Sequence, residues 1–295
     1  MDHPVEQVEV PVRSSSTAEG TSRPSQGCGC GCGASPSQDG AAAASYVYAI
    51  GLIEARFSNL SAEKEFSQVT SRSVNPGKTD RQTLHAVLSQ PGNRYLARQI
   101  CWVFTIQGLE TYILHPRDPR DLDRLVEAIR PDPTPLDLDV IIGVRGPIAP
   151  PAMCNGLQLP IVVVDQIYSF DRNALLKALP RPDKTGKQFD AAAAEVLDRV
   201  LRVTDNAGST REHRAFNYLA MRFPGLYHKT AEEFAKDFSL SAVEAHSSPV
   251  QGTRDIVEAV FSYTNRTTDF TEKFCVRVDV TEEFPFLVTK LAPCF

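Results

Sequence analysis

Between Val140 and Phe170 the chain reads VIIGVRGPIAPPAMCNGLQLPIVVVDQIYSF, and no other stretch limits its folding as tightly. Two short runs of Val and Ile, Val140–Val144 and Pro160–Ile167, suit pleated, buried surfaces and read as two strands. The connection between them holds Gly146, Pro147, Pro150, Pro151 and Gly156. So much proline leaves few backbone states, so the loop keeps a fixed shape at small entropic cost. Loops held rigid by strands often form binding surfaces, and Arg145, Cys154 and Asn155 lie on this one. The other reading is a crossover loop without a ligand. Arg145, Asp165 and Glu283 stand beside apolar strands, where a charge is costly unless paired, and Arg145 with Asp165 is one such pairing.

The chain has 295 residues, 42% of them hydrophobic and 23% charged, enough for one large or two ordinary domains. A net charge of −5 supplies no field that would draw it to nucleic acid or an anionic membrane. No run is long and apolar enough to span a bilayer, and the N-terminus lacks an apolar signal core. Residues 1–44 are rich in Ser, Gly, Ala and Pro and are expected to form a disordered tail. Within them, Cys28, Cys30 and Cys32 alternate with glycine. Three thiols could meet on a soft metal, but a closed zinc site takes four ligands, so a Cys/Gly linker is the competing reading. The other cysteines, 101, 154, 275 and 294, are scattered. That spread reads as free thiols in a reducing, cytoplasmic setting rather than a disulfide framework. No cofactor motif is present: G-x-G-x-x-G, the P-loop and H-E-x-x-H all fail, as does G-x-S-x-G. Cys154 is then either a nucleophile awaiting a basic neighbour or an inert thiol.

The local pattern predicts an α+β fold. YVYAIGLIEARF (46–57) is apolar on both alternations, as in a central strand. Ser61 is the expected cap of one helix, and Thr79-Asp80-Arg81-Gln82 and Ser209-Thr210-Arg211-Glu212 are capping boxes of two more. CWVFTIQGLETYIL (101–114) reads as a hairpin turning at Gln107-Gly108, and Asp171 as the cap of a short helix. Residues 180–187 are polar and rich in Pro and Gly, which separates a mixed α/β domain (45–180) from a second one (187–295). The second has helices followed by an antiparallel meander of strands at about 253–263, 271–280 and 286–291, with a fourth at 239–246.

Several long segments resemble the C-terminal region of the cyanobactin maturation protease family, the PatA/PatG type. They are residues 46–57, TDRQTLHAVLS (79–89), NRYLARQICWVFTIQGLETYILHPRD (93–118), residues 140–170, TDNAGSTREHRAFNYLA (204–220) and FSYTNRTTDFTEKFCVRVDVTEEFPFLVTKLAP (261–293). In that family this region follows a subtilisin-like protease acting on ribosomally made peptides. The protease signatures have no match here: no His precedes Gly, and Gly252-Thr253 is followed by Arg254. The resemblance implies a place in peptide natural-product maturation without protease chemistry. The expectation is a non-catalytic accessory protein that binds a precursor peptide or a partner protease, with Arg145, Cys154, Asn155, Asp165 and Tyr168 as its contact residues. A thiol enzyme using Cys154 and a structural homodimer are the alternatives. Deleting residues 1–44 is expected to leave the melting temperature nearly unchanged, since the segment has nothing to bury. A drop of several degrees on thermal denaturation would show that it docks.

Overall fold

A computed structural model describes residues 45–72, 77–179, 186–203, 205–247 and 253–294. The cluster of Cys28, Cys30 and Cys32, and the tail expected around it, lie outside these. β1 (Ser45–Phe57) is followed by α1 (Leu60–Arg72), α2 (Asp80–Leu88) and the short α3 (Arg94–Ala97). Next come β2 (Ile100–Ile106), β3 (Leu109–Pro116), α4 (Asp121–Ala128), β4 (Asp137–Ile148), β5 (Pro160–Asp171) and α5 (Arg172–Ala178). Three helices continue the chain, α6 (Gly186–Leu201), α7 (Arg211–Arg222) and α8 (Pro224–Ala235). β6 (Phe238–Ser247), β7 (Ile256–Asn265), β8 (Thr271–Asp279), β9 (Phe286–Leu287) and β10 (Ala292–Pro293) end it. The architecture is the α+β one the sequence predicts.

The first five strands close into a barrel in the order β1-β2-β3-β5-β4. β3 and β5 run parallel and every other pair is antiparallel. With α4 between β3 and β4, this is the connectivity of an OB-type barrel. β1 belongs to two ladders: residues 45–51 pair with β4 and residues 52–57 with β2. Gly51 sits at the changeover, where an added Cβ would lie 2.2 Å from the Thr105 carbonyl oxygen. The Ile53 N–H is taken by the Asp139 carboxylate at 2.8 Å. Asp139 is fully buried and held by Arg130 at 3.0 Å. Burial pushes its carboxyl above the usual range, against the opposing pull of Ser169, Arg130 and the Ile53 N–H.

Alternation along β1 explains why both of its faces are apolar. Val47, Ala49 and Ile53 point into the barrel core with Trp102, Phe104 and Leu125, whereas Tyr48 and Ile50 point outward against Leu201, Tyr218 and Met221. The α4 stripe Leu122, Leu125, Val126 and Ile129 closes one end of that core. The second core is built by α6–α8 against one face of the β6–β8 sheet, with Phe189, Leu219, Tyr227, Phe261 and Val276 at its centre.

The two cores are joined by backbone. Tyr48 donates its N–H to the Gly208 carbonyl at 2.9 Å, and its own carbonyl accepts from Asn217 Nδ2 at 2.7 Å. Gly208 has φ 70°, and a Cβ there would lie 2.3 Å from Tyr48 O, so no other residue fits without a shift. Arg214, also buried, faces the Tyr46 ring at 5.2 Å and donates to the carbonyls of Val280, Glu282 and Glu283. Burial lowers its pKa to about 10.

The expected caps stand at Thr79 and Asp171, and the hairpin turns at Gln107 and Gly108, both with positive φ. Three expectations need correction. Thr210, not Ser209, caps α7, its hydroxyl taking the His213 N–H at 3.1 Å. Asn59, not Ser61, caps α1, because its Oδ1 reaches the Ala62 N–H at 2.9 Å. The strand expected at 286–291 is split into β9 and β10, both on β8. The Thr289 hydroxyl takes the Arg277 N–H there and interrupts the ladder. Asp139→Ala is expected to cost about 3–5 kcal/mol of unfolding free energy in urea titration, because it leaves Arg130 without its buried partner and Ile53 without an acceptor. A loss below about 1 kcal/mol would show that the barrel does not depend on this contact.

Candidate functional site

The loop between β4 and β5 does not stand away from the barrel. It folds back over the outer face of β2 and β3. Met153, Cys154, Leu157 and Leu159 pack there on Cys101, Val103 and Ile113. A disulfide joins Cys154 to Cys101. The Ala149 N–H bonds the Leu159 carbonyl at 2.8 Å, and the Asn155 N–H bonds the Ser58 carbonyl at 2.9 Å. Asn155 has φ 46°, a left-handed value that asparagine tolerates better than most residues. The rigid loop expected from its prolines is therefore fixed by a cross-link as well.

Cys154 is buried and bonded, so the reading of an exposed reactive thiol is corrected, and with it the nucleophile. A second disulfide joins Cys275 to Cys294. The expectation of unpaired cysteines fails because the pairs lie 53 and 19 residues apart and only strand pairing brings them together. The cytoplasmic expectation rested partly on that premise, since disulfides are rare in reducing compartments.

The remaining expected contact residues are dispersed. Arg145 is exposed on β4 and, among the described residues, forms no ion pair. Asp165 is a bulge residue: β4 pairs Ile142 with Gln166 and Gly143 with Val164, which leaves Asp165 unpaired on the ladder. Its partner is Arg117 at 2.8 Å rather than Arg145. Glu283 lies 3.9 Å from the same Arg117, and burial with the nearby Asp165 charge raises its carboxyl pKa. Tyr168 is spent internally. Arg222 lies 4.9 Å over its ring and donates to its hydroxyl at 2.8 Å.

The fold-back leaves a groove of about 510 Å³ between the loop and the start of β2. Trp102, Ile113, Leu114 and Leu122 are among its apolar lining residues, with Met153 contributed by the loop. Ser58, Arg98, Gln99, His115 and Arg117 are the polar ones. The volume falls in the range of small-ligand and peptide sites, and an apolar surface with few polar groups is their usual makeup. A larger cleft of about 770 Å³ separates α1 from α2, but its rim mixes Glu54, Glu63 and Asp80 with Lys78 and Arg81. Arg81 is already used there, donating to the Arg130 carbonyl at 2.9 Å. Sequence reasoning missed Arg98, His115 and Arg117 because Arg98 precedes β2 whereas His115 and Arg117 stand at the end of β3. No spacing links them to Met153 until β2 pairs with β3 and the loop folds back. Among the described residues there is no group of three metal-ligating side chains, and no helix is long and apolar enough to cross a membrane.

Fold and site together define an OB-type barrel that wears its own β4–β5 loop as a cover and is joined through its first strand to a helix-backed antiparallel sheet. Residues 183–293 match the family described as PatG C-terminal. The solved structure titled "PatG Domain of Unknown Function" has the same fold, with TM-score 0.69 at 19% identity over 85% of this chain and 98% of that one. No curated protein matches the sequence.

Replacing both Cys101 and Cys154 by Ser is expected to lower stability by about 4 kcal/mol on the loop-entropy estimate for a closure of 53 residues. Limited proteolysis should then cut within residues 149–159 and spare the intact protein. Equal resistance in both forms would show that packing alone holds the loop.

Proposed function

We propose that the chain is a non-catalytic binding module of ribosomal peptide natural-product maturation, and that it holds a precursor peptide or a partner protease at the groove beside the β4–β5 loop. One observation carries this reading: a disulfide-fastened loop contributes Met153 to the wall of a groove at the end of the barrel, where β2 begins and β3 ends. In OB-type barrels the β2–β3 face and the β4–β5 loop are the usual ligand surface, and the groove lies where these two meet. A preorganised wall loses little entropy when a flexible peptide docks. The match of residues 183–293 to the PatG C-terminal family supports this pathway, since it is the family that the sequence segments resemble. Bonding of Cys154 removes the most plausible nucleophile and supports a role without covalent chemistry. Dimerisation through the terminal sheet is the second reading. It is favoured by Phe284, Phe286 and Val288, which stand exposed at every second position of one segment.

The test is titration of a labelled cyanobactin-type precursor peptide and of a subtilisin-like maturation protease, with mass spectrometry of the peptide afterwards. Arg98→Ala combined with Gln99→Ala, at two polar lining residues, should weaken binding by roughly tenfold or more with the melting temperature unchanged. Met153→Asp should weaken it by about tenfold or more by placing an unpaired charge in the apolar wall. Cleavage or modification of the peptide would reject the non-catalytic reading. Unchanged affinity in both variants would reject the groove.

A further inference from the structure

The groove's lining has a charge bias that the rest of the molecule lacks. The chain carries 36 acidic and 31 basic residues, and the polar lining residues include Arg98, His115 and Arg117 but no Asp or Glu. Arg117 is held from outside by Asp165 and Glu283. Arg98 and His115 are exposed, and among the described residues neither forms an ion pair. A lone cation on an acidic protein gains by pairing, and a bound carboxylate beside the apolar wall is a fitting partner.

We infer that this groove takes an extended peptide segment in which carboxylate side chains alternate with apolar ones. The inference rests on the groove reading of the proposed function and adds the chemistry of the ligand. Alternation suits the site because an extended chain points successive side chains to opposite sides. One set can lie on Met153, Pro116 and Pro119, the accessible apolar residues of the lining, while the other reaches the rim at Arg98 and His115. Nucleic acid, the other anionic polymer, fits less well. Single strands are held by exposed aromatic rings on which bases stack. Here the ring available is Trp102, which is 2% exposed and whose Nε1–H is engaged by the Ala97 carbonyl at 3.2 Å.

The test is fluorescence anisotropy of the full chain with short fluorescein-labelled peptides of alternating Glu and Leu, Gln and Leu, or Lys and Leu, and with labelled oligo(dT). The Glu/Leu peptide should bind at least about tenfold more tightly than the Gln/Leu peptide, and the Lys/Leu peptide more weakly still. Arg98→Glu should abolish the preference for Glu over Gln, with an unchanged melting temperature because Arg98 makes no internal pair. Excess free glutamate should fail to displace the peptide; efficient displacement would mean that a small carboxylate suffices and would overturn the peptide assignment. Tighter binding of oligo(dT) than of the Glu/Leu peptide would overturn it in favour of nucleic acid. If Gln/Leu and Glu/Leu bind equally and both are lost in Met153→Asp, the groove stands and the acidic preference fails. If no peptide binds, the acidic-peptide assignment falls, and the groove reading falls with it when the precursor peptide and the protease also fail to bind.

Discussion

The barrel closes because one carboxylate stands where a strand changes partners. β1 leaves β4 after Gly51 and joins β2, and at that corner the Ile53 N–H has no ladder carbonyl to meet. Asp139 supplies the acceptor from inside the barrel wall, and Arg130 supplies the countercharge. A buried amide without an acceptor costs about 1–3 kcal/mol, and a buried carboxylate without a cation costs more. The corner therefore works only as a three-part unit of amide, carboxylate and guanidinium. Asp139 lies on β4 and Arg130 directly after α4, so strand, helix end and the corner of β1 are fixed in one place. Because desolvation outweighs the charge partner at Asp139, the folded chain holds that proton more tightly than the unfolded one. Its contribution to stability falls as pH rises through the carboxylate range.

Much of the local structure was legible in the sequence. The capping box at Thr79 is short-range chemistry, with donor and acceptor three residues apart, so it can be read without tertiary knowledge; the box expected at Ser209 missed by one residue, because Thr210 offers the same hydroxyl next door. The same holds for the turn at Gln107-Gly108 and for the two apolar runs that became β4 and β5. The outward apolar side of β1 was legible as a pattern but not as a cause: Tyr48 and Ile50 are buried by α7, some 170 positions later. The assignment of Ser61 as a cap failed by two residues, since Asn59 offers the same kind of oxygen and sits at the first turn.

The candidate site was half legible. Its loop was found from proline content, yet its position was not, because nothing in a run of prolines says which barrel face the run will lie on. The disulfide decides that, and cysteines 53 apart carry no local signal of pairing. Of the five contact residues expected, Asp165 and Tyr168 proved to be committed to internal arginines, which residue type alone could not show. Arg98 and His115, which make no such commitment, carry no signal in the sequence because an exposed polar side chain on a helix end or strand is ordinary until its neighbours are known.

The bond from Tyr48 to Gly208 has a further consequence for how the chain divides. From Ser45 to Gly51 the first strand is laddered to β4 on one side, and on the other the loop at Gly208 and the amide of Asn217 stand in for a neighbouring strand. The segment matched by the PatG C-terminal family begins at 183 and takes both of these groups with it. A barrel cut away before that point would bare the outer faces of Tyr48 and Ile50 along an open strand edge, the geometry that recruits other chains into intermolecular sheets. The boundary visible between the sequences is thus not a boundary for solubility: the C-terminal domain acts as an edge guard, and the barrel and its guard have to be inherited together.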